Sequence, residues 1–125
     1  VLVDTSVLLA ALNKRDRNHK RARKDLVSLL SSPNNYPLVS DYVLDECYTY
    51  IAKRIPEKLE PFEKLAEKFV IVPVGVGTFF EAKKVFKKFY PRLSFTDATI
   101  VALAKLLGTR LLTYDEALEK VFFNL

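Results

Sequence analysis

Cys47 is the only cysteine in the chain. No internal disulfide can form, and a reducing, cytoplasmic location is the expectation. Glycine is almost as scarce: Gly75, Gly77 and Gly108 are the only three, too few and too late for a strong glycine-rich phosphate loop. No uninterrupted apolar run approaches the ~18 residues of a membrane span. No basic lead-in marks a signal peptide either. The chain also begins without methionine, as expected of one trimmed at its start or preceded by removed residues. What is present is a 125-residue chain, 50% hydrophobic and 12% aromatic. That composition suits one globular domain, residues 1–125, with a real core, and excludes a disordered segment.

Lysine and arginine number 20 against 15 acids, for a net charge of +5. That balance favours a polyanionic partner. Seven of the basic residues lie between Lys14 and Lys24, with His19 and one acid among them. A helix begun at Arg17 places Arg17, Lys20, Arg21 and Lys24 on one face, and Ala22, Leu26, Leu29 and Leu30 on the other. The basic face reads equally as solvated surface and as a phosphate-binding stripe, and His19 belongs to that wet surface.

Strands and helices alternate along the chain. Residues 1–3 read as a short buried strand that stops at a carboxylate, Asp4. Residues 6–12 make a short helix that leads into the basic one, and residues 31–35 are a dense turn signal. A second strand at 38–40 is followed by a helix over 41–54, capped by Ser40 or Asp41, with Leu44, Cys47 and Ile51 at core spacing. Pro56 and Pro61 bracket short helical pieces that end near Lys68, and 69–73 is the clearest later strand. A lysine-rich amphipathic helix spans 78–89. The helix at 96–107 is apolar nearly all round, so it belongs in the middle of the domain, with Gly108 as its C-terminal cap. A strand at 109–113, a helical turn from Glu116 and a final edge strand at 121–123 complete a three-layer α/β domain on a mostly parallel sheet.

Four acids hold special places in this pattern. Asp4 ends the first strand, Asp115 follows a late one, Asp97 lies in the first turn of the buried helix, and Glu46 interrupts an otherwise apolar helix beside Cys47. Singly, each has an ordinary explanation: Asp4 as a helix cap, Asp97 as a first-turn acid favoured by the helix dipole. Asp41 and Asp45 are cap and surface residues. If the fold gathers the four, carboxylates ~5 Å apart repel by roughly 3 kcal/mol per pair at an effective dielectric of ~20. Only a cation would then keep them ionised. Oxygen ligands without histidine or cysteine point to Mg²⁺ or Mn²⁺ rather than zinc. Such a centre suits phosphodiester hydrolysis. Thr5, Ser6, Ser94 and Thr113 stand beside these acids, with hydroxyls suited to holding water or orienting carboxylates, and Ser94 also suits a helix cap.

Four short motifs in this order resemble the PIN-domain nucleases: Val-Asp-Thr-Ser at 3–6, Val-Leu-Asp-Glu-Cys at 43–47, Ser-Phe-Thr-Asp-Ala at 94–98 and Leu-Thr-Tyr-Asp at 112–115. Each is weak alone, but together they run nearly end to end. The resemblance implies a five-stranded parallel sheet in a three-layer α/β/α domain and Mg²⁺- or Mn²⁺-dependent endoribonuclease activity. It implies Asp4, Glu46, Asp97 and Asp115 as catalytic metal ligands, supported by Thr5, Ser6, Ser94 and Thr113. Leu118 departs from the phenylalanine common in the family, a change of packing rather than chemistry. Small members resembling the VapC group are toxins, often homodimeric and inhibited by a small antitoxin. For this chain that implies an RNA substrate, an antitoxin partner and a dimer, with Phe79, Phe80, Tyr48 and Tyr50 as candidates for its apolar contact surface. Arg17, Lys20, Arg21, Lys24, Lys87, Lys88 and Arg92 are the candidates for contact with RNA phosphates.

Other readings compete. A phosphoacceptor receiver needs adjacent early acids and a lysine after a late strand, and neither is present. A haloacid-dehalogenase-type phosphatase needs a second aspartate where Ser6 stands. An RNA-processing nuclease without an antitoxin, or a non-catalytic RNA-binding or regulatory α/β module, stays open.

Overall fold

The computed structural model describes all of residues 1–125. In chain order the elements are β1 (Leu2–Val3), α1 (Thr5–Leu12), α2 (His19–Ser31), β2 (Leu38–Ser40), α3 (Asp41–Arg54), a 3-10 turn (Pro56–Lys58), α4 (Leu59–Ala66), β3 (Val70–Val72), α5 (Gly75–Phe89), α6 (Phe95–Leu107), β4 (Leu111–Leu112) and α7 (Glu116–Phe123). Every strand pair is parallel, and the order across the sheet is β3-β2-β1-β4. The chain steps from β1 through β2 to β3, then returns across the sheet to lay β4 on the free side of β1. This reversal creates a switch point between β1 and β4, and such folds bind ligands at the carboxyl ends of the strands there. Leu2 is in register with both Leu38 and Leu111, so β1, β2 and β4 end along one rim.

The three-layer α/β architecture agrees with the reading of the sequence, but the sheet has four strands where five were expected. The missing strand is 121–123, which forms the last turn of α7 instead. The Asp115 carboxylate accepts the N–H groups of Ala117 and Leu118 and starts a helix. Leu118 and Val121 are then buried, with Phe122 partly so, at helical spacing. Three successive apolar residues fit either period, and the cap decides between them.

The basic helix also starts later than the Arg17 of the sequence reading. Asn13 accepts the Arg15 N–H and Asp16 accepts the Asn18 N–H, a pair of side-chain turns that keeps residues 13–18 out of α2. In contrast, α5 begins at Gly75 rather than at 78. At its start the Asp41 carboxylate accepts the N–H of Val74, a buried residue, and so ties the head of α3 to the head of α5.

The core centres on β1 and β2 and includes Val3, Val7, Val39, Val43, Ile51, Phe62, Ile100 and Leu118, all fully buried. Helix α6 is buried continuously from Ala98 to Ala104 and packs against α3, α5 and α7, as its apolar sequence required. It ends where Gly108 takes the left-handed conformation (φ 62°), which a side chain would strain. No helix is long and apolar enough to cross a membrane.

Truncating Ile100 to alanine is expected to cost about 2–5 kcal/mol in urea unfolding, because the packed helix cannot collapse into the cavity. Val27→Ala, on the exposed face of α2, is expected to stay within about 0.5 kcal/mol of the native chain.

Candidate active site

Asp4 follows β1 directly and occupies the cap position of α1, but its carboxylate makes no capping bond. Its Oδ2 instead accepts the hydroxyls of Ser6 and Thr113, each at 2.8 Å. Those hydroxyls are themselves held from the far end of the chain. The Tyr114 N–H donates to Ser6 Oγ, and the Asp115 N–H donates to Thr113 Oγ1, both at 3.0 Å. One carboxylate oxygen thus ties the end of β1 to the end of β4. The residue is 3% exposed. Burial raises its pKa, while the two hydroxyls and nearby backbone N–H groups pull it down.

Asp97 and Asp115 each share their carboxylate between a helix terminus and the space around Asp4. Asp97 Oδ2 accepts the Ser94 N–H while Ser94 Oγ accepts the Asp97 N–H, a reciprocal box that starts α6. Asp115 uses Oδ1 to accept two N–H groups at the start of α7. In each of the three aspartates one oxygen is committed to local structure. The other, Oδ1 of Asp4, Oδ1 of Asp97 or Oδ2 of Asp115, is not. The Asp97 pKa is pushed up to about 6, first by burial and then by the Asp4 charge, with Asp115 adding to it. The charges of Asp4 and Asp115 therefore reach Asp97 across the rim.

Glu46 comes from a different element, α3. It lines a depression of about 420 Å³ with Thr96, the residue before Asp97. Its link to the trio runs through Cys47. This thiol is fully buried, and burial, followed by the charges of Glu46 and Asp4, pushes its pKa up to about 12. The buried Thr5 hydroxyl has no satisfactory hydrogen-bond partner and lies against that thiol.

Two residues within the quoted motifs have contacts that the motifs alone do not reveal. Tyr114 donates to Asp25 Oδ2 at 2.6 Å, and its ring carries the Arg21 guanidinium 4.3 Å from its centroid. It therefore pins α2 beside the rim. Its position between Thr113 and Asp115 was the available signal. Cys47 is the other, adjacent in sequence to Glu46.

Of the seven basic candidates, Lys20, Lys24, Lys87 and Lys88 are exposed on α2 and α5, and Arg17 and Arg92 are exposed in loops. Only Arg21 is engaged at the rim, through Tyr114 and a 4.0 Å pair with Asp25. The expected aromatic contact surface divides. Phe79 and Phe80 lie together on α5, whereas Tyr48 packs edge-on against Phe62 and donates to Glu63 on α4.

The donor set at the rim suits a hard divalent cation. It is all oxygen, each aspartate keeps one oxygen outside its structural bonds, and mutual repulsion already favours adding positive charge. With the side chains in their present rotamers, no three acidic, histidine or cysteine groups are gathered tightly enough to hold an ion. A bound ion would therefore draw the carboxylates together.

Protonation provides a direct check. Folded Asp97 keeps its proton up to about pH 6, against an ordinary value of 3.8. Between those values the folded chain binds the extra proton, so stability is full at the lower pH and falls as pH rises through the window. Urea midpoints measured from about pH 4 to 8 are expected to show that fall. Asp97→Asn is expected to flatten it and to gain about 1–2 kcal/mol near neutrality, after allowance for solvent screening of a partly exposed group. A native profile that rises across the window would contradict this electrostatic picture.

With this geometry in view, the chain can be compared with known proteins. The family model for the PIN domain matches residues 1–124. Among solved structures, the fold is similar to that of VapC20 from Mycobacterium tuberculosis, a sarcin-ricin loop cleaving toxin. The TM-score is 0.80 at 22% identity, covering 95% of this chain and 92% of that one. It is also similar to VapBC2 from Rickettsia felis bound to a DNA fragment from their promoter, with a TM-score of 0.75 at 17% identity, covering 96% and 91%. No curated protein matches the chain. The family match spans all four acidic positions and both ends of the sheet: the chain belongs to the PIN domain family.

Proposed function

We propose that this protein is a divalent-metal-dependent endoribonuclease and the toxin of a toxin–antitoxin pair, resembling the VapC group. The observation that carries this reading is the tie of Asp4 to the end of β4 through Thr113 at the switch point of the sheet, with Asp97 within reach of its charge and one oxygen of each aspartate left outside its structural bonds. The similarity to a toxin that cleaves the sarcin-ricin loop supports RNA as substrate, and the similarity to VapBC2 supports an antitoxin partner.

In this reading Asp4, Asp97 and Asp115 hold Mg²⁺ or Mn²⁺, with Glu46 as a direct or water-mediated ligand. When bound, such an ion lowers the pKa of its water and offsets charge on the phosphoryl group. The Ser6 and Thr113 hydroxyls orient Asp4 and offset part of the burial that raises its pKa. Ser94 fixes the direction of Asp97 through the box at the head of α6, and Thr5 fills the wall behind Asp4. Arg17, Lys20, Arg21, Lys24, Lys87, Lys88 and Arg92 contact flanking phosphates, which offsets the repulsion between an acidic centre and a polyanion. A second copy of the chain covers the exposed Val76 and Phe80, which line a depression with Tyr42 and Phe79.

Purified protein is expected to cleave RNA with Mg²⁺ or Mn²⁺ and to stop on chelation. Asp4→Asn and Asp97→Asn are each expected to lower the rate about 100-fold or more, as the loss of several kcal/mol of charge stabilisation requires. Cleavage that survives chelation, or both substitutions, would overturn the metal mechanism. RNA binding without cleavage would favour the non-catalytic module instead.

A further inference from the structure

Helix α3 has two faces, and only one is used by the core. Val43, Cys47 and Ile51 point inward. Glu46, Thr49, Tyr50, Lys53 and Arg54 fall at i, i+3, i+4, i+7 and i+8, which puts them on one outward stripe about 12 Å long. This stripe floors the depression that begins at Glu46 and Thr96. A second depression, of about 430 Å³, shares Tyr50 and Arg54 with the first and is walled by Lys14 and Arg15 from the α1–α2 turn and by Lys58 from the 3-10 turn. The two depressions adjoin at Tyr50 and Arg54 and together line a groove, acidic at Asp45 and Glu46 beside Thr96 and strongly cationic at its far end. Three separate segments of the chain supply its five cations. None of the five takes part in an ion pair, although Glu57 also lines the groove.

We infer that this groove is the track of a single-stranded RNA leaving the acidic centre. Lys14, Arg15, Lys53, Arg54 and Lys58 neutralise successive phosphates, and Tyr50 provides a face on which a base stacks. The inference rests on the nuclease reading only for its choice of RNA as the polyanion.

Several features favour this occupant. Lys53 and Arg54 also complement the negative end of α3, but that role accounts for neither the cavity before them nor the three cations from other segments. Tyr50 is 37% exposed at the junction of the two depressions, where an amphipathic ring is positioned for stacking. Apart from Tyr50, only Ile55 gives the groove an apolar wall. A helical acidic peptide needs an apolar seat, such as the separate depression lined by Leu26, Val27, Leu30 and Leu65. A polar, cationic channel with one aromatic ring matches a sugar-phosphate strand better.

The test is binding of a fluorescein-labelled 12-nucleotide oligoribonucleotide of mixed sequence, followed by anisotropy in excess chelator across a salt series. The Lys14→Gln/Arg15→Gln/Lys58→Gln variant is expected to bind about 10-fold more weakly. Its slope of log affinity against log salt is expected to be shallower by about 2, at about 0.7 per lost contact to a single strand. Tyr50→Ala is expected to weaken binding about 10-fold with no change in slope, and Tyr50→Phe to bind as the native chain does. Thermal unfolding of every variant checks that it is folded. Native affinity and slope in the triple variant would overturn the inference, as would failure of the native chain to bind the oligonucleotide. So would equal affinity for a labelled decaglutamate peptide, since that would mark a general cationic surface. The cleavage assay with Mg²⁺ or Mn²⁺ is a separate arm: loss of binding in these variants without cleavage by the native chain would keep the groove and remove the nuclease reading.

Discussion

The rim of this protein depends on one oxygen atom, Oδ2 of Asp4, which accepts hydroxyls from Ser6 and Thr113. A carboxylate 3% exposed is costly unless its charge is met by donors. Here the donors come from residues 107 positions apart, so meeting that charge also fixes how β4 sits beside β1. Each hydroxyl in turn accepts a backbone N–H, from Tyr114 or Asp115. The network is closed on the structural side and open only toward Asp4 Oδ1.

The same economy appears at the other two aspartates. Asp97 starts α6 and Asp115 starts α7, and each does so with a single oxygen. Three helix N-termini thereby face a region crowded with negative charge, and their dipoles offset part of the repulsion. Asp97 still has its pKa raised, first by burial and then by the Asp4 charge. Capping and ligation are not alternative roles for these residues, because a carboxylate has two oxygens and the fold uses one.

Much of this was legible in the sequence, for reasons that can be named. Asp4, Asp97 and Asp115 each follow a local signal, a strand end or a helix start, so their positions could be read from neighbours alone. Ser94 and Gly108 as the caps of α6 were legible for the same reason. The fate of residues 121–123 was not, because three apolar residues satisfy both periods and the decision lies in hydrogen bonds made by Asp115. The start of α2 was hidden in the side-chain turns of Asn13 and Asp16. The cationic groove was hidden differently. The outward stripe of α3 has a clear helical period, but the apolar spacing of Leu44, Cys47 and Ile51 is the stronger signal in the same segment. Nothing in sequence order predicts that Lys14 and Lys58 meet across Arg54. Glu46, marked in the sequence as an acid within an apolar helix, lines the depression beside Thr96, the neighbour of Asp97.

Cys47 gives this arrangement a chemical consequence. Its thiol is sealed between α3 and the base of Asp4, with its pKa pushed up to about 12. Near neutral pH only about one molecule in 10⁵ carries the thiolate that alkylating or oxidising reagents require. As the sole sulfhydryl of the chain, it cannot staple one copy to another while the fold is intact. Any modification of it records a moment when the wall behind Asp4 has come open, which makes the protein its own clock for breathing at the rim.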